Sequence, residues 1–448
     1  MRWEQKVEFA ALSDIGFRRR NSQDSYAVQI APDAEAWESR GHLFLVADGM
    51  GGHAVGELAS KIAADTIPHT YSKLLEKSPS EALCAAVIAG NAAINERGEL
   101  NRDFTRMGTT CTTLVLFNEG AVVAHVGDSR CYRIRGGKID QLTFDHSLQW
   151  ELLKQGTMSP EEIFRNEPRN VITRSLGPGP QVEVDVEGPF DVEAQDVYLL
   201  CSDGLTGQVS DPEIGAIAGS LAPADACRML VNLANLRGGP DNITVVVARV
   251  GPLPEHALEW SSDEIPAIPR RSLEGWRWIL AWVAVVSAFL VGLVLVPTSL
   301  SIVGHLLMAA ANLACGGLIL FRLRQRRTEQ TRSLVPEMAP GKPYRTASAE
   351  LTPQFLGEIA SLESALQRTA QDDGWAIDWT QYDTTFQQAK THLAAKRHSE
   401  ALRMLSKGLQ LLMEGIQQIR KQRDQALRWG VRPSQPGSDP GSARPGGS

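Results

Sequence analysis

Asp48 closes the apolar run Phe44-Leu45-Val46-Ala47 and opens a stretch with four glycines among residues 49–56. Such a run reads as a buried strand, and an unpaired carboxylate at its end carries a large desolvation cost. A cap at a turn or helix N-terminus would relieve that cost, and so would a bound cation. The pattern recurs: Asp128 follows the run "VVAHVG", Asp203-Gly204 closes "VYLLCS", and Asp241-Asn242 stands just before "ITVVVARV". Any one of these acids can be an ordinary turn residue. Together, and with Asp24 in "NSQDSY" as a fifth, they are explained more economically by one shared site. Hard divalent cations such as Mg²⁺ or Mn²⁺ prefer carboxylate, carbonyl and water oxygens. Glycine after Asp48 and after Asp203 lets main-chain carbonyls approach closely.

The elements that must position these acids are short. Residues 1–252 contain β-rich runs such as "CTTLVLFN", "CYRIRGG" and "NITVVVARV", interrupted by amphipathic stretches such as "GELASKIAADTIPHTYSKLL". Strands arrive in hairpin-like pairs, which predicts an antiparallel α/β sandwich rather than a doubly wound sheet.

The stretches "DIGFRRRNSQDSY", "VADGMGGHAVGELAS", "MGTTCTTLVL", "HVGDSRCYRIRGGKIDQLTFDHS", "ITRSLG", "LLCSDGLTGQVSDPEI" and "GGPDNITVVVARV" resemble, in order and over roughly residues 5–250, the metal-dependent protein phosphatase family of the protein phosphatase 2C type, in its prokaryote-like branch. The resemblance implies an α+β fold: a four-layer α-β-β-α sandwich of two antiparallel sheets flanked by helices, with a binuclear Mn²⁺ or Mg²⁺ centre in the cleft at one end. Carried over by position, Asp48 bridges the two ions and the Gly49 carbonyl binds the first. Asp203 and Asp241 ligate the second. Asp24 supports the centre through water, and Asp128 with Asp203 holds a third, weaker ion. Arg19 is implied as the phosphate clamp, flanked by Arg18 and Arg20. The implied chemistry is hydrolysis of phosphoserine and phosphothreonine by direct attack of a metal-bridged water. Met50 stands where animal members carry a histidine proposed as general acid, and Met cannot donate a proton. His53 or a metal-bound water is left for that task, and a capping or packing role for His53 is an equal alternative. Gln23 replaces a frequent acid beside Asp24, which weakens direct ligation at position 23. Residues 148–170 align with a variable flap beside the cleft.

At 448 residues and 43% hydrophobic content the chain is globular and too long for one ordinary core. A net charge of −7 gives no footprint for nucleic acid, and six widely spaced cysteines read as reduced core thiols. The N-terminus lacks an apolar leader, so the first domain is expected in the cytoplasm. Residues 253–275 read as a linker. Within 276–323, the runs 278–296 and 300–321 are nearly charge-free and just long enough to span a bilayer core of about 30 Å, which predicts a transmembrane helical hairpin. Arg270, Arg271 and Arg277 precede the pair and Arg322, Arg324, Arg326 and Arg327 follow it. Both flanks are thereby expected on the cytoplasmic side of the inner or plasma membrane. Residues 324–353 are a basic juxtamembrane segment and linker. Residues 354–428 show helical periodicity and contain one pair resembling a tetratricopeptide-type repeat, equally readable as a short bundle. Residues 429–448 are a Pro-, Gly- and Ser-rich tail.

The reading that follows is a membrane-anchored Mn/Mg-dependent protein serine/threonine phosphatase. Its partners are phosphorylated proteins, including substrates of membrane-bound Ser/Thr kinases or the kinases themselves, and a protein partner for the helical unit. The alternatives are a non-catalytic metal-binding scaffold acting through that unit and, ranked lower, a stress-signalling phosphatase acting on anti-sigma antagonists.

Overall fold

The structure, a computed structural model, describes residues 7–101, 107–156, 171–251 and 343–428, with isolated positions at 104, 162–168 and 291–311. Two antiparallel sheets carry the fold. One contains, in spatial order, β1 (Val7–Asp14), β11 (Ile243–Val250), β10 (Val197–Cys201), β7 (Arg130–Arg135), β8 (Lys138–Gln141) and β12 (Arg345–Ser348). The other runs β2 (Asp24–Gln29), β3 (His42–Met50), β5 (Cys111–Phe117), β6 (Gly120–Val126), β9 (Asp185–Phe190), with the two-residue β4 (Gly108–Thr109) paired to the end of β3.

Strand β3 shows why the sheets stack. Phe44 and Val46 pack with Leu114, Tyr198, Leu200 and Val246 in the core between the sheets. Leu43, Leu45 and Ala47 point the other way, into the core under α2 (His53–Lys73) and α3 (Pro79–Glu99). Both faces are buried, so the strand reads as a continuous apolar run instead of an alternating one. Helix α3 begins where Ser78 and Glu81 form a reciprocal capping box ahead of Pro79. Helices α6 (Asp211–Ser220) and α7 (Pro223–Leu236) cover the outer face of the first sheet. Short helices α1 (Ala34–Ser39), α4 (Leu148–Gln155) and α5 (Asp203–Thr206) fill connections. The α+β sandwich of two antiparallel sheets expected from the sequence is therefore the fold observed.

The expected transmembrane hairpin, and with it the two-span membrane localisation, is corrected. Among the described residues no helix is long and apolar enough to cross a membrane. A span needs about 20 residues of continuous apolar helix, and the described positions within 278–296 and 300–321 supply none. Most of 276–323 lies outside the described residues, as do most of the linkers and the 429–448 tail.

Residues 338–448 belong to the same compact unit as residues 1–158 and 166–259, while 159–165 and 260–337 form a second unit described only at scattered positions. Residues 345–348, inside the segment expected to be a linker, form β12 on the edge of β8. There the Thr346 hydroxyl donates to Asp140 Oδ1 at 2.7 Å, and Arg345 lies 3.2 Å from Asp211. A Cβ on Gly215 of α6 would lie 2.6 Å from that of Ala349, so glycine is what lets this segment pass. Helices α8 (Pro353–Asp372), α9 (Trp379–Ala394) and α10 (His398–Arg428) follow. Leu356, Ile359, Leu402, Leu405 and Leu409 of these helices join the same hydrophobic core as Leu230 and Leu233 of α7. Helix α7 is thus buried from two sides, by the sheet and by α10.

Candidate active site

Five aspartates from separate elements meet where strands of both sheets end. Asp24 opens β2 and is the register partner of Asp48 near the end of β3. Asp128 lies in the turn between β6 and β7, Asp203 opens α5 directly after β10, and Asp241 lies two residues before β11. Burial pushes the Asp48 carboxyl well above the usual carboxylate range, and the nearby charges of Asp24, Asp203, Asp128 and Asp241 push it further. Burial and then Asp203 do the same to Asp128. Asp24 is raised to about 7 and Asp203 to about 6, burial being the first cause in each. Buried oxygens Asp24 Oδ1, Asp128 Oδ1 and Asp203 Oδ1 have no hydrogen-bond partner. Asp203 is among the charges that oppose ionisation of Asp48, a repulsion that a proton or a cation between the two would relieve.

Arg19 completes the mouth of this cluster. Its Nη2 donates to Asp241 Oδ2 at 2.7 Å, and nearly half of the side chain is exposed, so the guanidinium is open to a ligand from solvent. Arg18 and Arg20 are exposed too, without a comparable bond to the acids. Gly49 lies in β3, where its N–H donates to the Gln23 carbonyl at 3.1 Å. His53 is the first residue of α2, and its side chain lies outside the described residues. Much of the expected flap at 148–170 does so too, apart from α4.

Several supporting residues carried no sequence signal of their own. The Ser202 hydroxyl donates to Asp24 Oδ2 at 2.7 Å and accepts from the Thr244 N–H, tying the two sheets together at the site. Thr110 Oγ1 accepts from the Asp48 N–H at 2.8 Å, and the Thr110 N–H donates to the Asp48 carbonyl. Asn242 donates to the carbonyls of Ile15 and Asn21 and accepts from the Gln23 N–H, so it fastens the arginine-bearing loop beside Asp241. A Cβ on Gly49 would lie 2.0 Å from the Gly56 carbonyl oxygen, so the glycines at 49 and 56 let α2 sit against β3. Their clustering in the sequence was the one visible trace of that approach.

The donor set fits hard divalent cations. It consists of oxygen only, three of its buried oxygens are unpartnered, and the mutual repulsion is what a cation would relieve. Among the described residues no three His, Cys, Asp or Glu side chains are arranged to hold one ion by themselves. A raised carboxyl pKa in the fold means that the protonated form is favoured there. The contribution of these two carboxyls to the stability of the metal-free fold is then full below about pH 4 and is lost as pH rises through about 6 and 7, the values for Asp203 and Asp24. Mn²⁺ should therefore raise Tm more at pH 7.5 than at pH 5, a contrast that thermal melts with and without chelator measure directly. An equal rise at both values would contradict the cluster's role in metal binding.

The sequence model for protein phosphatase 2C matches residues 13–151. The chain is 38% identical over 245 residues to the serine/threonine protein phosphatase PstP of Mycobacterium tuberculosis, covering 54% of this chain and 45% of that protein. It is 36% identical over 245 residues to the protein phosphatase PhpP of Streptococcus pneumoniae, covering 54% of this chain and 96% of that protein. The match thus spans less than half of the mycobacterial protein and nearly all of the streptococcal one. A crystal structure of the PstP catalytic domain in complex with two manganese ions aligns at 37% identity, covering 55% of this chain and 99% of that one, with a TM-score of 0.48. With nearly the whole of a relative matched at this identity and five aspartates gathered at the strand ends, the chain belongs to the protein phosphatase 2C family of metal-dependent serine/threonine protein phosphatases.

Proposed function

We propose that this protein hydrolyses phosphoserine and phosphothreonine in proteins with the help of two Mn²⁺ or Mg²⁺ ions, and that its substrates are the products of Ser/Thr kinases. The observation that carries the reading is the meeting of Asp24, Asp48, Asp128, Asp203 and Asp241 beside an exposed arginine. In this reading Asp48, Asp203, Asp241 and the Gly49 carbonyl would hold the two ions. Asp24 supports the centre, and Asp128 with Asp203 offers a weaker third position. When bound, such ions lower the pKa of a coordinated water and screen the charge on a phosphoryl group.

The chain's own groups do the rest. Arg19 presents a planar, permanently charged fork that can meet two phosphoryl oxygens at once. Its bond to Asp241 places that fork at the rim of the carboxylate cluster, where a phosphate monoester would enter. Ser202 and Thr110 fix the carboxylate and the main chain of the two paired strands, so the acids need little reorganisation on loading. His53, at the start of α2, remains the candidate proton donor to the leaving alkoxide, since Met50 has no proton to give. Phosphate release from a phosphothreonine peptide by the full chain, with Mn²⁺ and with excess chelator, tests the reading. Hydrolysis should appear only with the metal. Metal-independent hydrolysis, or none with either cation, would overturn it.

A further inference from the structure

The last helix reaches the loop that carries Arg19. Arg420 of α10 lies more than four hundred residues along the chain from that loop, yet its Nη1 donates to the Gly16 carbonyl and its Nη2 to the Phe17 carbonyl, each at 3.3 Å. Its guanidinium carbon also sits 4.6 Å from the centroid of the Phe17 ring. From the other side, the N–H groups of Phe17 and Arg18 donate to the Gly239 carbonyl at 2.8 and 3.1 Å. Two successive peptide groups, 16–17 and 17–18, are therefore held at both ends, oxygen by Arg420 and N–H by Gly239. Gly16 adopts a φ of +77°, and a Cβ there would lie 2.1 Å from the Asp241 carbonyl oxygen, so the loop is pressed against the segment that bears Asp241. Arg18, Arg19 and Arg20 beyond it are exposed. The main chain leading to Arg19 is thus held as far as the 17–18 peptide, one peptide group before the Arg19 Cα.

We propose that Arg420 is a positioning residue for phosphate recognition: it holds the 16–18 loop from the C-terminal helix so that Arg19 is aimed at the phosphoryl group. The inference rests on the reading of Arg19 as the phosphate-binding residue, and it makes the C-terminal helices part of substrate binding. Losing one side of the clamp frees the loop and weakens ground-state binding of phosphate while leaving the carboxylate cluster intact.

The test uses the full-length, Mn²⁺-loaded protein and a phosphothreonine peptide, comparing wild type, Arg420→Ala, Arg420→Lys, Arg19→Ala and the Arg19→Ala/Arg420→Ala double variant. Arg420→Ala should raise KM about fivefold with kcat within twofold, raise the inhibition constant of inorganic phosphate in step, and speed amide exchange at Phe17 and Arg18. Arg420→Lys should recover part of the loss. In the Arg19→Ala background, Arg420→Ala should have no further effect on KM, because it acts through Arg19. An unchanged KM in Arg420→Ala, or the same fold-change in both backgrounds, overturns the proposal. Should Arg420→Ala fail to fold, Phe17→Leu removes the stacked ring alone and should raise KM two- to threefold, with no rise refuting the clamp. An Arg19→Ala variant with wild-type KM removes the reading of Arg19 and this inference with it, while persisting Mn²⁺-dependent hydrolysis keeps the phosphatase reading. A wild type inactive with every metal removes that reading too.

Discussion

Asp48→Asn should lower kcat/KM for a phosphothreonine peptide by about a thousandfold or more at saturating Mn²⁺, equivalent to about 4 kcal/mol of transition-state stabilisation. Asp48 is the acid whose ionisation is opposed by burial and by all four of its partners, Asp24, Asp203, Asp128 and Asp241, which marks it as the hub of the cluster. Asparagine keeps the shape and its main-chain bonds to Thr110 but removes the negative charge that a cation needs. The same substitution should have the opposite effect on the metal-free fold. With one buried, mutually repelling carboxylate gone, metal-free Asp48→Asn should melt at a higher temperature than the wild type at pH 7.5, and Mn²⁺ should stabilise it much less. A variant within tenfold of wild-type activity, or one stabilised equally by Mn²⁺, would remove Asp48 from the centre of the proposed chemistry.

Arg130→Ala should cost about 3–5 kcal/mol of stability, the usual range when one member of a buried ion pair is removed. Arg130 is bound to Asp145 through Nε at 2.9 and 3.0 Å and through Nη2 at 2.6 Å, and its Nη1 lies 3.6 Å from Asp211. Asp211 in turn accepts from the Tyr132 hydroxyl and pairs with Arg345 of β12. Asp145 and Asp211 are both buried, so truncation strands two carboxylates with only Arg345, Gln141 and Tyr132 nearby. At about 1.5 °C per kcal/mol for a compact unit of this size, Tm should fall by about 5–8 °C. Arg130→Lys keeps the charge without the fork and should fall by less. Since Arg130 also draws Asp128 toward its ionised form, the alanine variant should bind the most weakly held ion less well. A shift under about 1 kcal/mol in urea denaturation would show that this network does not support the fold.

How much of this was written in the sequence differs from element to element. The sandwich was readable because its strands are buried on both faces and hence nearly pure apolar runs, as in β3 and β11. The acids were readable because a carboxylate directly after such a run needs a reason. Their convergence depends on pairings such as Asp24 with Asp48, which no local pattern encodes. Ser202, Thr110 and Asn242 are ordinary polar residues whose importance lies only in what they touch. β12 escaped notice because "RTAS" is short and sits in a proline- and charge-rich stretch, and its pairing with β8 is decided by a partner some two hundred residues earlier. The apolar runs at 278–296 and 300–321 misled in the other direction. Composition alone suggested membrane spans, whereas no described helix has the length and apolarity to be one.

The placement of β12 and α10 bears on how the molecule is made. The open edge of β8 and the outer side of α7 receive their cover from residues 343–428, long after the rest of the sandwich has left the ribosome. At ordinary elongation rates that interval is on the order of ten seconds or more. Throughout it the nascent chain displays an unpaired strand and a greasy helix, the features that recruit chaperones and invite association with neighbours. Premature termination between residue 252 and residue 343 would release a protein with every proposed metal ligand in place and its flank bare.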